Sequence, residues 1–123
     1  MKSILVVDDD HNVRDVTRLL LESSGYDVLT ADSGAAAIAR MHEAGERIAA
    51  ALLDLGLPDA SGVDVFHALR ELRPGLPVLV ASGHSEDEAQ ALFGDTQPAG
   101  YLTKPYRLDE LLSRVQSMAT QAD

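Results

Sequence analysis

The chain contains no cysteine, which excludes disulfides, thiolate chemistry and any zinc site built on sulfur. Bases are scarce: 10 Lys and Arg stand against 20 Asp and Glu, for a net charge of −10. A domain of that charge lacks the basic face that nucleic-acid binding requires. No apolar run approaches the length of a membrane span. The start, MKSILVV, is too short for a signal peptide, and its apolar run ends in three consecutive Asp. There is no internal repeat, linker or low-complexity tract. These absences lead to the expectation of a soluble, cytoplasmic protein with no membrane contact. The 123 residues suit one domain with a real core, and 46% hydrophobic residues separate it from disordered chains.

What is present is a regular alternation. Short apolar runs at 4–8, 27–31, 49–54, 77–82 and 99–103 predict strands. Helical spacing follows each of them. Residues 11–24 place Val13, Val16, Leu20 and Leu21 near one face, with Gly25 as the stop. Ser33 can cap a second helix that runs to about Glu43. A third turns Val65, Phe66, Leu69 and Leu72 inward and ends at Pro74 and Gly75. The fourth, 85–93, opens on Ser85 with Glu88 three residues on, which reads as a capping box. The last, about 107–120, carries Leu108, Leu111, Leu112, Val115 and Met118 on one stripe. Alternating strands and helices with short connections mean parallel βαβ units, and right-handed crossovers put helices on both faces.

Strands of one parallel sheet end at the same edge, and reactive groups stand at four of these ends. Asp8 and Asp9 follow the first run, Asp54 closes the third, Ser82 closes the fourth and Lys104 follows the fifth. Three carboxylates, a hydroxyl and an ammonium at one edge point to chemistry with Mg²⁺ and a phosphoryl group. Each residue also has a plainer reading. Asp10 fits an N-cap for the helix starting at His11. Alone, Ser82 would be an ordinary strand-end hydroxyl and Lys104 a surface lysine; both gain weight only from the set. His11, His42 and His67 sit in helical contexts without metal-ligand spacing.

Taken in order, these motifs resemble the receiver domain of two-component response regulators: an acidic pair, a lone Asp with Pro58 four residues later, Ser82, and Lys104-Pro105. The resemblance runs from Ile4 to about Met118. It implies an α/β, flavodoxin-like fold: a doubly wound, five-stranded parallel sheet of order 2-1-3-4-5 with five helices, a single receiver domain over 1–123. It also implies roles. Asp54 would accept the phosphoryl group from a histidine kinase or phosphotransfer protein. Asp8, Asp9, Asp54 and the Gly56 carbonyl would hold Mg²⁺. Ser82 and Lys104 would contact the phosphoryl oxygens, and Lys104-Pro105 would be cis. Tyr101 would be the aromatic switch that follows Ser82. Gly56 and His84 occupy positions that tune acyl-phosphate hydrolysis in the family. The domain would catalyse only its own phosphorylation and dephosphorylation, and would signal through a downstream protein at the face of helix four, strand five and helix five. SGHSEDEAQALFG with PAGYLTKPY looks more like receiver modules of hybrid sensor kinases than like DNA-binding regulators.

Two other functions compete. A haloacid-dehalogenase-like phosphatase would use the Asp8-x-Asp10 spacing, with Asp8 as nucleophile, but the chain offers no cap domain and Asp54 goes unexplained. A phosphorylation-independent, receiver-like scaffold would need no complete acidic site. A flavodoxin is disfavoured because no Ser/Thr-rich phosphate loop follows the first strand.

Overall fold

Five parallel strands in the order β2-β1-β3-β4-β5 form the centre of the computed structural model, which describes residues 3–122, with side chains in the last helix up to Met118. The elements are β1 (Ser3–Val7), α1 (His11–Ser23), β2 (Asp27–Ala31), α2 (Gly34–Ala44), a 3₁₀ turn (Gly45–Arg47), β3 (Ile48–Asp54), α3 (Gly62–Leu72), β4 (Val78–Ser82), α4 (Glu86–Phe93), β5 (Gly100–Thr103) and α5 (Leu108–Ala122). The sheet order and the helix count are those expected from the sequence.

Every residue of β1, β3 and β4 is buried, because helices cover both faces of the sheet. The strand period of two separates the core into halves. Leu5 and Val7 join Ala37 and Met41 of α2, Phe66 and Leu69 of α3, and Phe93 of α4. Ile4 and Val6 point the other way, to Leu21 of α1 and Leu111, Val115 and Met118 of α5. Each fully buried Leu or Ile contributes roughly 1.5–3 kcal/mol relative to exposure. The switch point of the strand order lies between β1 and β3, where a crevice opens outside the carboxyl ends.

The local signals hold at several helix starts. Asp10 caps α1, accepting from Asn12 N at 3.0 Å and Val13 N at 3.2 Å. Ser33 caps α2, and Ser85 with Glu88 forms the capping box of α4. Three apolar residues expected inward face solvent instead: Val16 is 49% exposed, Leu72 44% and Leu108 46%. Along α1 the buried ridge is Thr17 and Leu21, one turn apart, so Val16 falls on its flank. Leu72 is the last residue of α3 and Leu108 the first of α5. Among the described residues no helix is long and apolar enough to cross a membrane.

Candidate functional site

The site is assembled by the strand ladder. Asp54, the last residue of β3, pairs with Ala81, and Leu55 N–H continues the ladder to Ala81 O at 3.1 Å. Ser82 ends β4 and pairs with Thr103. Lys104 N–H donates to Ser82 O at 2.7 Å, which brings the lysine beside the crevice. Asp8 extends β1 by one further bond, its N–H donating to Ala31 O at 3.0 Å. All five sequence-predicted side chains therefore arrive at one sheet edge.

Three carboxylates converge there. One oxygen each of Asp8, Asp9 and Asp54 lies within 4.8 Å of the others. Asp8 and Asp54 are buried, at 5% and 6% exposure, and Asp9 is exposed. Lys104 Nζ stands 3.2 Å from Asp54 Oδ1 and 3.7 Å from Asp8 Oδ2. The charge balance is incomplete, with one ammonium facing three acids. Burial, then the nearby Asp54 charge, pushes the Asp8 carboxyl above its usual range, against the Asp10 N–H and Lys104. Burial pulls the Lys104 ammonium down, but Asp54 and Asp8 together outweigh it and the net shift is upward. Such a set of hard oxygen donors with surplus negative charge fits Mg²⁺, which takes carboxylates and keeps several waters.

Smaller contacts fix the geometry. Asp10 N–H donates to Asp8 Oδ1 at 2.9 Å, and Gly56 N–H donates to Asp54 Oδ1 at 3.1 Å. Arg14 Nη1 donates to the Asp8 carbonyl at 2.9 Å and steadies the first loop. Ser82 is buried, and its Oγ accepts from His84 N–H at 3.0 Å. The His84 side chain is exposed at the mouth. The Lys104–Pro105 bond is cis, as expected. Asp10 is spent on the α1 cap, which leaves the Asp8-x-Asp10 pair of a phosphatase without its second acid.

Tyr101 lies farther along β5 and is half-buried. Its ring meets Phe93 edge-on at 6.1 Å, and Phe93 meets Phe66 at 5.0 Å. Its hydroxyl donates to Gln97 Oε1, while Gln97 Nε2 donates to Gly94 O at 2.6 Å and Gln90 O at 3.1 Å. Burial, then the Glu86 carboxylate, raises the Tyr101 hydroxyl pKa. Sequence reasoning missed Gln97 and Arg14. Neither stands at a strand end, and each acts through a side-chain bond to residues three to seven positions away, which apolar periodicity does not register.

A family model described as the response regulator receiver domain matches residues 4–116. This chain belongs to that family. The receiver domain is 40% identical over 118 residues to the transcriptional regulatory protein KdpE of Mycobacterium tuberculosis, covering 95% of this chain and 50% of that protein. It thus spans about half the length of that relative. A CheY-like receiver structure from Methanospirillum hungatei superposes with a TM-score of 0.89 at 29% identity, covering 99% of this chain and 96% of the other. TrrA of Thermotoga maritima, solved in complex with Mg²⁺-BeF, superposes with a TM-score of 0.80 at 27% identity, covering 96% and 99%. A receiver domain is a signalling domain of a two-component system, and its family binds Mg²⁺ at an acidic pocket like the Asp cluster described here. The comparisons do not show the hybrid-kinase affiliation expected from residues 82–106; the relative KdpE is by name a transcriptional regulator.

Proposed function

We propose that residues 1–123 act as one receiver domain that takes a phosphoryl group onto Asp54. The observation that carries this reading is the buried Asp54 carboxylate, 3.2 Å from the Lys104 ammonium and within the acidic trio. An Asp54 oxygen forms the new O–P bond as the N–P bond of a phosphorylated histidine donor breaks. Lys104 offers a point charge to one phosphoryl oxygen. The Ser82 hydroxyl, which now accepts from His84 N–H, retains its proton to donate to another. Asp8, Asp9, Asp54 and the Gly56 carbonyl would hold Mg²⁺, as the solved complex of TrrA supports. When bound, the ion offsets the repulsion between the attacking carboxylate and an anionic donor. The domain catalyses only this self-phosphorylation and the later hydrolysis, which Gly56 and His84 tune.

A groove of about 530 Å³ adjoins the site, lined by Val13, Val16, Thr17, Pro105, Tyr106 and Leu108, with Lys104 at its edge. Its apolar wall and its continuity with Lys104 suit the helical face of the histidine kinase or phosphotransfer protein. The output is a protein contact at α4, β5 and α5, driven by Ser82 and Tyr101. Incubation with Mg²⁺ and a small phosphoryl donor, followed by mass-spectrometric mapping, tests the reading. Acyl phosphate is expected on Asp54 and lost in Asp54→Asn. Full phosphorylation of that variant on Asp8 would instead favour the phosphatase chemistry.

A further inference from the structure

The loop between β3 and α3 begins directly after Asp54 and contains Gly56. Its middle is held from outside. Asp59 Oδ1 accepts from Gly34 N–H at 2.8 Å, and Asp59 Oδ2 accepts from Ala35 N–H at 3.1 Å. These are the first N–H groups of α2, and Ser33 Oγ takes the next, at Ala36, at 3.1 Å. A carboxylate from a distant segment therefore completes the cap of α2. The Gly34 N–H, then that of Ala35, holds the Asp59 carboxyl below its usual range. The close approach depends on glycine: a Cβ at position 34 would lie 2.8 Å from Val65 Cγ2 and 3.3 Å from Ala60 Cβ. The far end of the loop closes on Gly62, where a Cβ would lie 2.5 Å from Leu55 Cα. Leu57 and Ala60 rest against the core. Among the described residues, no other segment hydrogen-bonds to residues 57–60.

We propose that Asp59 is a positioning residue for the acceptor site. Its two-pronged bond to α2 fixes the path of the loop that holds Gly56 behind Asp54, and so sets how tightly the site takes Mg²⁺. The inference rests on the reading of Asp54 and Gly56 given above. It makes α2 a remote support of the metal-binding loop, much as outer-shell partners orient metal ligands. The coupling is reciprocal, so Mg²⁺ at the loop must also steady the first turn of α2.

Mg²⁺ titrations followed by amide chemical shifts, on the intact chain, separate the outcomes. Asp59→Ala is expected to weaken Mg²⁺ binding on the order of tenfold. Asp59→Asn, which keeps one acceptor, is expected to lose less, and it decides the matter if the alanine variant does not fold. Ser33→Ala removes the neighbouring cap without touching the loop; it should lower the melting temperature and leave Mg²⁺ affinity unchanged. In the wild type, Mg²⁺ should slow hydrogen exchange at Gly34 and Ala35. Affinity in the Asp59 variants within twofold of wild type overturns the inference alone. So does an equal loss in Ser33→Ala, because the effect would then be general helix weakening. A wild type that does not titrate overturns the site reading itself, and this inference with it.

Discussion

Asp8 sits beside two other carboxylates with almost no water around it. Its pKa is raised in the fold, by burial first. A raised carboxyl stabilises the fold below the unfolded-state value and loses that contribution as pH climbs through the folded-state value. The metal-free domain is therefore expected to melt at lower temperature as pH rises through the Asp8 titration. Asp8→Asn should flatten this slope and melt higher at neutral pH by several degrees, since about 1 kcal/mol moves a domain of this size by roughly 4 °C. Melts by circular dichroism read this directly; a variant that melts lower without metal contradicts the repulsion account. Mg²⁺ should raise the melting temperature of the wild type by mass action, and Asp9→Ala should lose that gain. Asp8, Asp9, Asp54, Ser82 and Lys104 were legible because each ends or follows a strand, and the topology of parallel strands does the rest. Asp59, the residue after Pro58, was not legible as part of the site. Its partners lie 24 and 25 residues away, where no periodicity connects them.

At the scale of the element, α1 and the β5–α5 loop present one surface and α4 with β5 another. Val16 lies on the first, half exposed and away from the reacting groups. Val16→Glu is expected to slow transfer from a phosphorylated histidine donor while acceptance from a small phosphoryl donor stays unchanged. Parallel rate measurements with the two donors check this, and equal slowing of both would remove the groove from the donor contact. On the second surface, Tyr101 is tied through Gln97 to the last turn of α4. A phosphoryl mimic with Mg²⁺ should therefore shift amides across 82–93 and 99–112, beyond the loops that follow β1 and β3. Tyr101→Ala should leave phosphorylation of Asp54 intact and weaken partner binding. Loss of phosphorylation instead would make Tyr101 a structural support. The spacing of apolar residues disclosed every helix, yet misplaced Val16, Leu72 and Leu108. Periodicity fixes the direction of a stripe, whereas the width that is covered depends on how far the neighbouring sheet extends.

Across the whole molecule, Phe66 joins the helical layer to the sheet, fully buried and edge-on to Phe93 at 5.0 Å. Phe66→Ala is expected to cost about 3–5 kcal/mol, a large part of the stability of a domain this size. Denaturant unfolding measures it, and a loss under 1 kcal/mol would mean that the core repacks around the gap. Sheet order followed from the family resemblance, and the two-sided burial of β1, β3 and β4 from their continuous apolar runs. The contacts of Arg14, Asp59 and Gln97 did not follow: Asp59 reaches 24 and 25 residues back to α2, and Arg14 and Gln97 bond nearby backbone carbonyls in a way that no periodicity marks. The glycines show a further difference between the loops. Gly62 presses on the backbone of Leu55 and Gly34 on Val65, whereas Gly75 and Gly83 have open space on the side where a Cβ would project. The loop after β3 is thus fixed in length: one inserted residue would push α3 off Leu55 and part Asp59 from α2. A side chain added at Gly75 or Gly83 would meet no such contact. The segment next to Asp54 has no room to lengthen, whereas Gly83, directly after β4, has room for a side chain.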